Sequence, residues 1–222
     1  MGDQTSNQKK GPFLSFLTVV PVRETVDRLM RTVREAERPD SLYPHYLDPA
    51  SGEWRGQGSY SLGAYADSFY EYLLKEWLRS GQTDLQSWTM FSEAAAAVSA
   101  TLVQQTEDGL TYLSSVSGGR ASSTMEHLAC FAGGMFGLAG GRWLRLGEEI
   151  TRTCHQSHLN TPTGLAPDII SFSGATGVQQ EDKYILRPET AESYLVLWRM
   201  TGHSQYRDWG WQLVTALEKH CR

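Results

Sequence analysis

An all-α fold, layered as a toroid of about three helical hairpins plus one further helix, is what this 222-residue sequence predicts. Two stretches share one template, Trp77-x₃-Gly81-x₆-Trp88 and Trp198-x₃-Gly202-x₆-Trp209. Each follows a helical segment that opens on a carboxylate: Asp67 stands ten residues before Trp77 and Glu189 nine before Trp198. A weaker middle copy has Glu126 ten residues before Phe136, with Gly140 four beyond it. Acids therefore recur about every 60 residues, a period that fits a helical hairpin with its loops. If like helices point the same way, all three acids gather at one end of the assembly.

The elements follow in order. Val22, Val26, Leu29, Met30 and Val33 recur at helical spacing, so about 22–37 forms an amphipathic helix that Pro39 stops. A loop carrying Tyr43, Tyr46 and Trp54 runs to Gly58. Gly63 to Arg79 is apolar nearly all round, the mark of an inner helix, and about 84–106 carries one stripe (Trp88, Phe91, Ala95, Val98, Leu102), the mark of an outer one. The alternation returns with Met125–Leu138 and about 142–158, and again with Glu189–Met200 and about 204–220. Leu110–Val116 and Ile169–Phe172 read as short extended pieces in the loops. Stacking these hairpins gives a ring with inner helices clad by outer ones; a straight solenoid is the competing arrangement. Three hairpins and a lone helix do not close a ring, so the sequence reads as a portion of a larger domain.

Composition narrows the function. A net charge of −5 argues against a nucleic-acid partner, since phosphate binding normally needs a basic face, and no apolar run approaches the roughly 20 residues that cross a bilayer. Residues 1–21 read as a leader distinct from the 22–222 domain: Lys9 and Lys10 precede a short apolar run, Phe13–Val20, that is a disordered segment or a weak targeting signal. Cys130, Cys154 and Cys221 lack the spacing of a zinc site, and from spacing alone Cys130 and Cys154 are either bridged or buried free thiols. His155 and His158, at i and i+3 without a third ligand, read as a solvated helix end.

Acids brought together from separate hairpins are what glycoside hydrolysis requires, one group protonating the leaving oxygen and another activating water or attacking. A carboxylate at a helix start is favoured in its ionised form, which suits a general base. Arg187, two residues ahead of Glu189, pushes that residue the same way. No GxGxxG element follows a strand and no GxSxG is present, so nucleotide binding and serine-hydrolase chemistry find no support.

Four runs, in order, then resemble signatures of glycoside hydrolase family 47, the class I α1,2-mannosidases: Ser61-Leu-Gly-Ala-Tyr-Ala-Asp-Ser-Phe-Tyr-Glu-Tyr-Leu-Leu-Lys75, Met125-Glu-His-Leu-Ala-Cys-Phe-Ala-Gly-Gly134, Ile185-Leu-Arg-Pro-Glu-Thr-Ala-Glu-Ser193 and Tyr206-Arg-Asp-Trp-Gly-Trp211. The resemblance covers about Val22 to Arg222 and implies a partial (α/α)₇ barrel. It implies an inverting, calcium-dependent enzyme of the secretory pathway that trims α1,2-linked mannose from high-mannose N-glycans. Asp67 and Glu189 match two of the family's three essential carboxylates, with Glu189 as the base acting on water. Arg187, Glu192, Glu126 and His127 match the sugar-site surroundings, and Cys130 and Cys154 match the family's disulfide.

The third essential glutamate of the family belongs ahead of Val22, and its calcium-binding threonine beyond Arg222. No residue here is therefore assigned as a metal ligand, and the isolated chain is expected to turn over little substrate. Tyr65, where the endoplasmic-reticulum type has arginine, and the Phe-Ala-Gly-Gly run at 131–134 resemble the Golgi type. The rival readings are a non-catalytic high-mannose glycan-binding protein of glycoprotein quality control, a helical scaffold without a sugar site, and a different toroidal glycosidase.

Overall fold

A computed structural model describes residues 19–38, 41–56, 58–172 and 183–222. The leader reading therefore lies, up to residue 18, outside the described residues. Seven α-helices and a set of two- and three-residue strands make up the described chain: α1 (Val19–Glu35), α2 (Asp67–Arg79), α3 (Leu85–Thr101), α4 (Phe131–Ala139), α5 (Leu144–Leu159), α6 (Glu189–Thr201) and α7 (Gln205–His220). Helices α2 to α7 pair as the three expected hairpins. Helix α4 sits between α5 and α6 and touches α2, so α2, α4 and α6 form an inner row with α3, α5 and α7 outside.

The first hairpin is locked by Trp77 on Trp88, their ring centroids 4.2 Å apart, so the repeated tryptophans meet across the α2–α3 turn. In the last hairpin the same template packs otherwise: Trp209 stacks on His155 of α5 at 4.0 Å. The inner row closes up around glycine. On Gly133 a Cβ would lie 2.1 Å from Thr151 Oγ1, and on Gly147 it would lie 2.5 Å from the Gly133 carbonyl. Both helices of the middle hairpin thus depend on bare backbone at their crossing. Ser193 of α6 ties the row together: its Oγ donates to the Cys130 carbonyl at 2.6 Å and accepts from the Gly134 N–H at 2.7 Å. Cys130 and Cys154 form a disulfide that fastens the entrance of α4 to α5.

The middle repeat departs from its expected helix over Met125–Leu138. Residues Thr124–Glu126 form a strand, β8, antiparallel to β9 (Ile169–Ser171), with Glu126 opposite Ile169. A 3₁₀ turn over His127–Cys130 then leads into α4. The ladder wins because the His127 N–H continues it, donating to the Asp168 carbonyl at 2.8 Å, while Gly133, Gly134 and Gly137 weaken helix formation downstream. In the same way α3 stops at Thr101, ahead of the expected 106, because β4 (Val103–Gln105) pairs with β5 (Thr111–Leu113). Helix α2 begins at Asp67, four residues late, because Tyr65 takes a left-handed conformation (φ 72°) that a helix excludes. Helix α1 forms as expected, yet Val22, Val26 and Leu29 of its apolar stripe are exposed; Val33 joins the core and Met30 packs against it. No helix among the described residues is long and apolar enough to cross a membrane.

Candidate active site

Each sequence-predicted acid lies at the same end of the inner row. Asp67 is the first residue of α2, where its Oδ1 accepts the Ser68 N–H at 2.7 Å and its charge meets the positive end of the helix. Glu126 ends β8 and reaches back across the repeat, Oε2 accepting the Ala64 N–H at 2.9 Å. Its carboxylate lies so close over Gly63 that a Cβ there would stand 2.4 Å from Oε1. Only glycine leaves room for that acid beside the start of α2. Glu126 is thus held by the first repeat, three residues from Asp67.

Glu189 opens α6 after Pro188, and its side chain is 14% exposed. Oε2 is buried and faces the Nδ1 of His127 at 3.5 Å, and neither atom has a hydrogen-bond partner among the described residues. His127 itself is fully buried (0% exposed), standing behind Glu189 on the side away from solvent. Its other nitrogen, Nε2, lies 3.2 Å from Nε2 of His158 and 3.4 Å from the Thr190 hydroxyl.

Arg187 lies near Glu189 and Glu126. Its guanidinium makes a two-pronged contact with Asp168, Nε to Oδ1 at 2.5 Å and Nη2 to Oδ2 at 3.1 Å. These hydrogen bonds hold the Asp168 carboxyl below the ordinary aspartate range and raise the guanidinium above its own. Glu189 and Glu126 both lie within the field of Arg187 and favour its charge. One turn into α6, Glu192 has its pKa raised by burial first and by the facing carboxylate of Glu71 second, against the pull of Lys75. Lys75 bridges the two, 2.6 Å from Glu71 and 4.0 Å from Glu192, so α2 and α6 meet through charge.

Local backbone prepares both acid-bearing helices. Tyr65 (φ 72°) and Leu186 (φ 44°) are left-handed without being glycine, and they precede Asp67 and Glu189 by two and three residues. Such conformations cost of order 1–3 kcal/mol and concentrate at functional sites.

Several participants were not foreseen from sequence. Asp168 sat in an unremarked loop ahead of an extended piece; an acid beside a strand carries no signal until its partner Arg187 is seen. Thr190 and Ser193 were covered by the Glu189 motif without a role of their own. His155 and His158, expected at a solvated helix end, are buried instead. Their helix α5 is the middle outer helix, and its last turn is roofed by Leu165, Ala166 and α7. Burial pushes His155 down to about 4 and His158 to about 3.

Layered helical hairpins that gather Asp67, Glu126, Glu189 and Arg187 at one end place the chain in the α/α-barrel fold class. The chain belongs to glycosyl hydrolase family 47, whose model matches residues 14–222. It is 47% identical over 223 residues to the mannosyl-oligosaccharide alpha-1,2-mannosidase IA of Drosophila melanogaster, an alignment covering 95% of this chain and 33% of that protein. It is 43% identical to the human mannosyl-oligosaccharide 1,2-alpha-mannosidase IB, over 94% of this chain and 34% of that one. The chain thus spans about a third of the length of these curated relatives. Its fold superposes on the alpha-1,2-mannosidase from Trichoderma reesei with a TM-score of 0.81 and 25% identity, covering 94% of this chain and 49% of that structure.

Proposed function

We propose that this chain supplies part of the catalytic end of a mannosyl-oligosaccharide 1,2-α-mannosidase, which removes α1,2-linked mannose from high-mannose N-glycans with inversion. The observation that carries this reading is Glu189: a nearly buried carboxylate at a helix start, flanked by Arg187 and backed by an imidazole, in a chain that belongs to family 47. Glu189 acts as the base on water, its carboxylate standing at a helix start two residues from Arg187. Asp67 supplies the second carboxylate of this chain. Arg187, Glu192 and Glu126 shape the sugar-binding surface, and His127 supports Glu189 from behind.

Calcium enters as a proposed cofactor through the family resemblance. Among the described residues no three His, Cys, Asp or Glu side chains converge as a metal cluster would require, so no ligand is assigned here and no step is derived through the ion. The secretory pathway is the proposed location, supported by the Cys130–Cys154 bridge, which suits an oxidising compartment. Tyr65, 78% exposed beside the start of α2, and the 131–134 run favour the Golgi type over the endoplasmic-reticulum type.

A segment exchange tests the reading. Residues 19–222 replace the matching stretch of the Drosophila relative, and mannose release from a high-mannose glycan is followed with and without calcium. The chimera is expected to release mannose, and Glu189→Gln to lower kcat by about 10²–10⁴-fold. A folded chimera that releases none, or one indifferent to Glu189→Gln, would overturn the proposal.

A further inference from the structure

His158 was set aside from sequence and belongs to no motif that carries the family resemblance, yet its ring bonds fix where a proton sits two residues away in space. The Ala166 N–H donates to His158 Nδ1 at 2.9 Å. A main-chain amide offers only hydrogen, so Nδ1 must present its lone pair. The Gly164 carbonyl, 3.2 Å from the same nitrogen, then receives no proton from it. The ring is 4% exposed, and burial keeps it neutral. Its single proton is therefore on Nε2.

That proton points at His127 Nε2, 3.2 Å away, and the Thr190 hydroxyl at 3.4 Å is free to donate to the same lone pair. His127 must then carry its own proton on Nδ1, the nitrogen 3.5 Å from Glu189 Oε2. The opposite tautomer of His127 would set two N–H groups head to head and turn a lone pair toward the carboxylate, two repulsions at once in a dry interior.

We propose that His158 is a positioning residue: by holding its proton on Nε2 it places the proton of His127 on Nδ1 and so gives Glu189 a fixed N–H donor. The chain of donation runs from Ala166 N–H to His158 and from His158 to His127, and it leaves the His127 N–H aimed at Glu189 Oε2, two buried atoms 3.5 Å apart that have no other partner among the described residues. A small approach of the two side chains completes the bond, which holds one carboxylate oxygen inward and leaves the other for water. This last consequence rests on Glu189 being the base of the proposed hydrolysis; the proton placement does not.

Long-range ¹H–¹⁵N correlation spectra of the histidine rings in the 222-residue chain test it directly. His158 is expected as the Nε2–H tautomer and His127 as Nδ1–H. In His158→Gln, the side-chain oxygen can take the Ala166 amide and the NH₂ can donate to His127, so His127 keeps its proton on Nδ1. In His158→Phe the donor is gone, Thr190 is able to accept, and His127 is expected to divide its proton between both nitrogens. A wild-type His127 protonated on Nε2 would overturn the proposal. So would a His158→Phe spectrum with Nδ1–H undiminished, or a His158→Gln spectrum in which Nδ1 loses its proton. Should His158→Phe not fold, the wild-type and His158→Gln spectra decide. In the active chimera, His158→Phe is expected to lower kcat on the order of tenfold with KM unchanged, and His158→Gln to recover it. Protons as assigned in a chimera without turnover would sink the hydrolase reading alone; misplaced protons with mannose release would sink this inference alone.

Discussion

Buried imidazoles set the response of single residues to acid. His155 is hydrogen-bonded to the Tyr194 hydroxyl at 2.9 Å and lies flat on Trp209, and burial lowers its pKa to about 4. Its unfolded counterpart titrates near 6.5. Between those values the unfolded chain takes up a proton that the folded chain refuses, so stability falls as pH falls from about 6.5 to about 4. His155→Gln, which keeps a hydrogen bond to Tyr194 without titrating, is expected to flatten that slope in urea unfolding at pH 7 and 4.5. Asp168 responds in the same direction, over a lower range of pH. Its folded pKa is depressed by Arg187, so its contribution is full above about 3.9 and fades as pH drops through the folded value. Asp168→Asn should cost about 1.5–3 kcal/mol at neutral pH, and chemical denaturation below pH 3.9 should find the gap to wild type narrowing. The acids themselves were legible because they recur once per repeat. Asp168 and His158 were not, because their roles depend on partners 19 and 31 residues away, and no local pattern encodes such pairs.

At the scale of elements, hydrophobic period located the hairpins. Expected spans at 142–158, 189–200 and 204–220 match α5, α6 and α7 to within two residues at every end. Periodicity failed where long-range pairing competed: β8 took the first residues of the middle inner helix, since its partner β9 lies some 45 residues on. The crossing of α4 and α5 was equally hidden, although its glycines were visible. A Cβ on Gly147 would fall 2.5 Å from the Gly133 carbonyl and 2.7 Å from the Gly137 nitrogen, backbone atoms that cannot step aside as a side chain would. Gly147→Ala is therefore expected to destabilise by about 1–3 kcal/mol through overpacking. Thermal unfolding measures this; an unchanged midpoint would mean the two helices separate without cost.

For the molecule as a whole, the toroidal layering was readable from the repeat, whereas the bridge between Cys130 and Cys154 was not decided by spacing. The Cys130–Cys154 disulfide closes a 24-residue separation, and in the chain-entropy picture it contributes roughly 3 kcal/mol. Unfolding in denaturant with and without reductant should show a loss of that size, and a Cys130→Ala/Cys154→Ala double variant should match the reduced protein. Apolar side chains at Tyr72, Leu195 and Trp211 remain exposed on α2, α6 and α7, so the ring surface described here is not sealed against solvent. The contacts that shape its acidic end share one property. Glu126 to Ala64, Ser193 to Cys130 and Thr190 to His127 each join residues 62 or 63 positions apart, one repeat to the next. No hairpin owns its acid's surroundings. A half-folded chain in which only the first two hairpins have docked would have Glu126 seated and His127 without Glu189. The surroundings of Glu189 would then be completed in a single late stage of folding, when the third hairpin docks on the second.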